Sequence, residues 1–409
     1  MIVDRKNRGG NFGRLSVKGE NRLISGLLVV IFSCLTLLFG CSIPQVSAQD
    51  RLFLDLSLEF IDEYQLPKQS FAQTTVGGLS GIAYDRQRDR FYAISDDRGE
   101  YAPARFYTLK LNLDSERPTA PRIENVEIEA VTFLTKEDGQ PYKSGEINPE
   151  GIALAAPDSL YISSEGVSDR GIPPFINEFD RQTGQFISAL PIPQAYLPDA
   201  KGKAQQRGVQ DNLGFESLTI NPRGFGDATV DPFRIFTATE SPLQQDQDPT
   251  NPDQPAINRL LHYLVSDGPP LLIGEYAYPM SEDPRWSLIN GLTELLALDP
   301  GGHLLSLERS FGFLGYNAEI FQINIASGND TSSIASFIGL ETATETLQKN
   351  LVLNLQDLGV TLDNLEAMTL GPRLPDGSHS LILVSDDNFN PDQVTQFLLF
   401  RVQGMGDRG

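Results

Sequence analysis

The chain has 409 residues, with 32 Lys and Arg against 54 Asp and Glu, for a formal net charge of −22. So large a negative surplus argues against nucleic acid or an anionic lipid surface as a partner and favours cations or neutral ligands. Cys34 and Cys41 are the only cysteines and lie in or beside an N-terminal apolar run, so the domain beyond them holds no disulfide.

Residues 1 to 22 carry six basic side chains against Asp4 and Glu20, and an 18-residue apolar run, Leu23 to Gly40, follows. The pattern fits a signal peptide with a long basic lead, or a marginal membrane helix, since a full span takes about 20 apolar residues. Leu38-Phe39-Gly40-Cys41 resembles a bacterial lipobox, which implies lipidation at Cys41. Val46-Ser47-Ala48 is a competing signal-peptidase site. As lipoprotein, secreted protein or uncleaved anchor, the domain is exported. Residues 1–41 are then leader or anchor and the one membrane contact, 42–50 a tether, 51–403 the domain and 404–409 a tail.

Leu52 to Phe60 alternates at period two, the pattern of a strand with one buried face. It stands alone before a unit that occurs five times. In each copy a short apolar run leads through a turn into a second run that ends on an acid. The clearest is Asn148 to Gly166, where Glu150 opens one strand of a hairpin and Glu165 closes the other. The others run from Gly78 to Asp97, Gly214 to Glu240, Gly291 to Glu308 and Asn364 to Asp387. Taking Ser80, Glu150, Glu216, Glu294 and Glu366 as equivalent gives spacings of 70, 66, 78 and 72.

Two more strand-like runs follow each hairpin: 105–111 and 126–133, 175–180 and 186–190, 259–265 and 271–276, 318–325 and 332–338, then 395–402 alone. Four strands per unit make a propeller blade. The fold expected is an all-β propeller of five four-stranded blades, or six if 326–363 hides another. The orphan strand at 52–60 completes the last blade by pairing with the C-terminal strand. Long connections at 134–149, 191–213, 241–258, 277–292 and 339–364 fall on the face that carries the repeated acids, where sites usually sit. The last is expected to hold a helix, with Leu347, Leu351, Leu355 and Leu358 at helical spacing and Gly359 as its stop.

Strand one of each blade lines the central channel, so Glu150, Glu216, Glu294 and Glu366 should converge at its mouth, with Ser80 in the equivalent place. Asp96, Asp97, Glu165, Glu240, Glu308, Asp386 and Asp387 should surround them. Crowded carboxylates must take up protons or bind cations, and oxygen-only ligands suit a hard ion such as Ca²⁺. The alternative is that each acid caps backbone N–H groups at its own blade junction. Other chemistries fare worse, since no G-x-S-x-G elbow, P-loop or dinucleotide fingerprint occurs and histidines number three.

Gly78-Leu79-Ser80-Gly81, Asn148-Pro149-Glu150-Gly151-Ile152-Ala153, Ser164-Glu165-Gly166, Asn212-Leu213-Gly214-Phe215-Glu216, Glu308-Arg309 and Ser385-Asp386-Asp387-Asn388-Phe389 together resemble the phytase-like domain family, over about residues 70 to 403. The resemblance implies a β-propeller and a hydrolase of phosphate or other esters in exported bacterial proteins. Calcium-dependent β-propeller phytases surround phosphate with acids, Lys, Arg and Tyr; here lysines near the expected mouth are few. The enzymatic reading is therefore a metal-assisted hydrolase of a small anionic ester. Glu216 and Glu366 are its chief acids, Arg98 and Arg309 neutralise developing charge, and Glu150, Glu165, Glu240, Glu294, Glu308, Asp96 and Asp386 complete the ion's ligands. The alternative is a non-enzymatic, envelope-associated binding propeller. A monomer is expected in both cases.

Overall fold

The computed structural model describes residues 52–114, 121–155, 157–221, 232–250, 255–281, 287–339 and 346–405. The expected leader or anchor with Cys41, the tether, and the last four residues of the tail lie outside them.

The strands follow in chain order. β1 is Ser57–Leu66, and β2 (Gln69–Phe71) with β3 (Thr74–Val76) forms a small ribbon. Blade one is β4 (Leu79–Asp85), β5 (Arg90–Ser95), β6 (Arg105–Leu113) and β7 (Ile123–Phe133). Blade two is β8 (Pro149–Ala155), β9 (Ser159–Ser164), β10 (Phe175–Asp180) and β11 (Phe186–Ala189). Blade three is β12 (Phe215–Ile220), β13 (Phe233–Thr239), β14 (Ile257–Val265) and β15 (Leu271–Pro279). Blade four is β16 (Ser287–Ala297), β17 (His303–Gly312), β18 (Gly315–Asn324) and β19 (Lys349–Asn354). Blade five is β20 (Leu365–Leu370), β21 (His379–Ser385), β22 (Thr395–Gln403) and, on its outside, β1. Each inner strand touches the next, β4 to β8, β12, β16 and β20, and β20 returns to β4. The protein is a five-bladed propeller.

Its strands are apolar residue after residue because each blade is buried on both faces. Leu160 and Ile162 pack with Ile94 and Phe106 of blade one, while Tyr161 between them packs with Ile235 of blade three. Similar clusters fill the other blade interfaces, as in Phe236 with Leu304, Leu305 with Leu383, and Ile82 with Ile382. Burying each such side chain contributes about 1.5–3 kcal/mol, so the ring needs no disulfide. β1 closes it by antiparallel pairing with β22, from Ser57 opposite Gln403 to Leu66 opposite Thr395.

Three expectations change. The closing strand begins at Ser57 and runs past Phe60, with a bulge before Asp62; Leu54 and Leu56, read as strand, instead pack against the core shared by blades four and five. The fourth strand of blade four is β19, in the stretch expected to be helical, and 332–338 is a loop. Asn350 to Asn354 satisfies period two as well as helical spacing, and pairing with β18 satisfies backbone groups that an open edge would leave bare. Only one 3-10 turn, Leu355–Leu358, survives of the helix, ended by Gly359 at φ 72°. Finally, most of 277–292 is strand, because β15 reaches Pro279 and β16 starts at Ser287.

Candidate functional site

All five inner strands break register near the mouth: between Leu79 and Gly81, Pro149 and Ile152, Phe215 and Ser217, Leu292 and Glu294, and Leu365 and Ala367. The bulged residues are Ser80, Glu150 (with Gly151), Glu216, Thr293 and Glu366. A bulge re-aims a side chain that regular pleating would send into a blade interface. After the bulge the next blade crowds in. A Cβ on Gly81 would lie 2.6 Å from the Glu150 carbonyl oxygen, and one on Gly151 2.7 Å from that of Glu216.

Blade four therefore departs from the expected ring by one residue. Leu292 pairs with Glu308, as Leu79 pairs with Ser95 and Leu365 with Ser385. Thr293, not Glu294, holds the inner position, and Arg309, not Glu308, stands level with Asp96, Glu165, Glu240 and Asp386. Glu294 turns aside and accepts the backbone N–H groups of Leu218 and Leu295. Glu308 also turns away, where Tyr278 Oη, the Ser281 N–H and Lys349 Nζ donate to it. Neither belongs to the acid ring. Successive strand residues point to opposite faces, so a slip of one exchanges ring and interface. The signal was in the chain: Gly291-Leu292-Thr293 matches Gly78-Leu79-Ser80 when aligned on leucine.

Among the described residues, what converges is seven carboxylates, Asp96, Glu150, Glu165, Glu216, Glu240, Glu366 and Asp386, around one guanidinium, that of Arg309. Asp96 is part-buried and the other six are buried. Oxygens of Glu150, Glu165 and Glu216 lie within 4.8 Å of one another. Arg309 Nη2 donates to Glu240 Oε1 at 3.0 Å and Glu366 Oε1 at 3.2 Å, and its buried Nε has no partner among the described residues. Asn364 Nδ2 donates to Glu366 at 2.7 Å and Asn148 Nδ2 to Glu165 at 2.7 Å. Glu165 also accepts the Gly214 N–H. The Glu216 carboxylate accepts no hydrogen bond from the described residues.

Loss of water and mutual repulsion push these acids up. Burial raises Glu150, Glu165, Glu216 and Asp386 well above the carboxylate range, and neighbouring carboxylates add to it. Glu240 is raised by burial, with Arg309 opposing. Glu366 is pushed up to about 7 by burial, with Arg309 again opposing, and Asp96 to about 6, with Arg98 and a hydrogen bond to Glu150 opposing. One guanidinium cannot neutralise seven ionised acids. The ring must hold protons or gain positive charge.

Arg98 sits at the rim. Its Nε donates to Asn148 Oδ1 at 2.9 Å and its Nη2 to Asn212 Oδ1 at 2.6 Å, and Asp211 is 3.9 Å away. Asp97 and Asp387 serve the scaffold. Asp97 pairs with buried Arg105 at 2.7 Å and accepts four backbone N–H groups, which hold it low against the opposing effect of burial. Asp387 accepts the Gly78 N–H and pairs with Lys68.

The family model described as "Phytase-like: Esterase-like activity of phytase" matches residues 74–389, a span that takes in every residue of this ring. The chain belongs to the phytase-like family. No curated protein matches this phytase-like chain. Among solved structures, an endo-arabinase from Bacteroides thetaiotaomicron VPI-5482 is similar at 11% identity and a TM-score of 0.39, over 83% of this chain and 96% of that one. The catalytic domain of a GH62 alpha-L-arabinofuranosidase from Coprinopsis cinerea is similar at 10% identity and a TM-score of 0.42, over 84% and 97%. At these values the likeness carries no argument about chemistry.

The all-oxygen donor set, drawn from two adjacent blades at the 4.8 Å cluster, fits a hard divalent cation.

Proposed function

We propose that this phytase-like propeller is an exported, divalent-cation-dependent hydrolase of phosphoric or other anionic esters, with its site at the channel mouth. The observation that carries the reading is the convergence of Glu150, Glu165 and Glu216 within 4.8 Å inside a ring of seven acids and one arginine. These three would hold the cation, Ca²⁺ being the ion their oxygens suit, with Asp96, Glu240, Glu366 and Asp386 around them. When bound, the ion supplies the positive charge the ring lacks and makes nearby water easier to deprotonate.

The chain's own residues then have distinct tasks. Arg309, held in place through Nη2 by Glu240 and Glu366, would set its positive charge against an anionic oxygen of the ester. Arg98 draws the anion to the rim. Glu366, at about 7, is suited to accept the proton of the attacking water near neutral pH. Asp96, raised to about 6 by burial and placed beside Glu150, would carry the proton that the leaving alcohol takes.

The test is thermal unfolding of the purified protein in EDTA and in millimolar Ca²⁺, followed by turnover of p-nitrophenyl phosphate and phytate in the same buffers. An ion at about a hundred times its dissociation constant adds about 2.7 kcal/mol to the native state. Ca²⁺-dependent stability with Ca²⁺-dependent turnover supports the reading. Stability and turnover both indifferent to the ion would leave the acids as scaffold and favour a non-enzymatic binding propeller.

A further inference from the structure

Blade four is built differently above the ring. Strand two of blades one, two, three and five stops at Ser95, Ser164, Thr239 and Ser385, level with Glu308, whereas β17 runs four residues further to Gly312. At about 3.3 Å per residue that is roughly 13 Å of extra strand on the mouth side. β16 begins at Ser287 and β18 at Gly315 to match it, giving a three-stranded flap whose inner edge is the channel-lining strand. Residues 287–292 and 310–317, which form the flap, include no charged side chain in a chain of net charge −22.

One face of this flap is continuous with the ring. Ile289 pairs with Phe311 and Phe311 with Tyr316, so the three side chains form a row on one face. The Phe311 and Tyr316 rings are 4.6 Å apart. Tyr316 lies close enough to Arg309, Glu366 and Asp386 to feel their charges, and its hydroxyl accepts from Gln393 at 3.2 Å. At the tip, Phe313 and Leu314 are 78% and 82% exposed. An apolar track thus leads from the Arg309 guanidinium to the end of the flap.

We infer that the flap is the subsite for an apolar body of the substrate, so that the site takes amphiphilic esters with one anionic head and an aryl or alkyl group. This rests on the ester-hydrolase reading of the ring. Arg309 and Arg98 suffice for a single phosphoryl group, whereas a polyphosphorylated sugar alcohol would bring many charges to a surface that offers acids and hydrocarbon. An apolar group laid along Tyr316, Phe311 and Ile289 removes water from both surfaces, which costs nothing in unpaired charge.

The experiment measures calorimetric binding of 2-naphthyl phosphate and glycerol 2-phosphate to the whole protein in Ca²⁺, with turnover of both in parallel. The two esters share a head and differ in the body. The expected result is naphthyl phosphate binding about tenfold tighter, an advantage that Phe313→Ser with Leu314→Ser, and separately Ile289→Ser, reduces severalfold more than any effect on glycerol phosphate. Melting temperatures of the exposed tip variant should match the parent. Equal affinity for the two esters, no binding of naphthyl phosphate, or an advantage that both variants keep would overturn the inference, as would variants that alter only self-association. Selective binding without turnover would keep the subsite and reject the hydrolase. Turnover of both esters with equal affinity would do the reverse.

Discussion

Arg309 Nη2 lies 3.2 Å from Glu366 Oε1, so this cation inside the acid ring is bonded to the acid of the following blade as well as to Glu240 behind it. Arg309 is 8% exposed, and a buried charge that loses its partner is costly. Arg309→Gln should therefore destabilise the protein by about 3–5 kcal/mol at pH 7.5 in chelator, read from urea midpoints. The same change should tighten Ca²⁺ binding, since repulsion within the ring grows, while turnover falls. A loss under about 1 kcal/mol would show that the ring is already neutralised by protons.

The raised acids set a pH dependence with a definite sign. Asp96 at about 6 and Glu366 at about 7 stay protonated in the folded protein at pH values where the unfolded chain, near 4, has ionised. The stabilising contribution is complete below about pH 4 and is lost as pH rises through 6 and 7. In EDTA the melting temperature should fall between pH 5 and 8. In millimolar Ca²⁺ the fall should become shallower, and a slope unchanged by the ion would count against a cation at this site.

The Glu216 carboxylate accepts no hydrogen bond from the described residues and is one of the three whose oxygens lie within 4.8 Å of one another. Glu216→Gln removes a charge while keeping the shape. It should reduce the Ca²⁺-induced rise in melting temperature by more than half and abolish turnover, and Glu366→Gln should abolish turnover with the fold intact. Circular dichroism checks the fold and a chromogenic ester the activity. Unaltered turnover in both variants would end the catalytic assignment.

Glu294 provides the contrast. It caps two backbone N–H groups across the junction between blades three and four, so Glu294→Ala should cost about 1–3 kcal/mol by leaving them unsatisfied. The Ca²⁺ titration midpoint should not move. A shift as large as that of Glu216→Gln would place Glu294 back in the ring.

The sequence alone determined the all-β class, the five hairpins, the closure of the ring by its two ends and the face that carries the acids. Those features follow from local physics: apolar runs of strand length, turn residues at their ends and one polar position per unit survive in the chain as a readable period. The tertiary structure decided what that period could not. In 347–358 helical spacing and strand alternation coincide, and only the open edge of β18 selects strand. In blade four the bulge at Thr293 settles which of two neighbouring acids faces the axis, putting Arg309 in the ring and sending Glu294 and Glu308 into the interfaces. The raised values of Asp96 and Glu366 depend on burial and on charged neighbours brought together from different blades. A strand's period fixes which residues share a face; which face meets the channel is fixed by register, and register is a property of the packed ring.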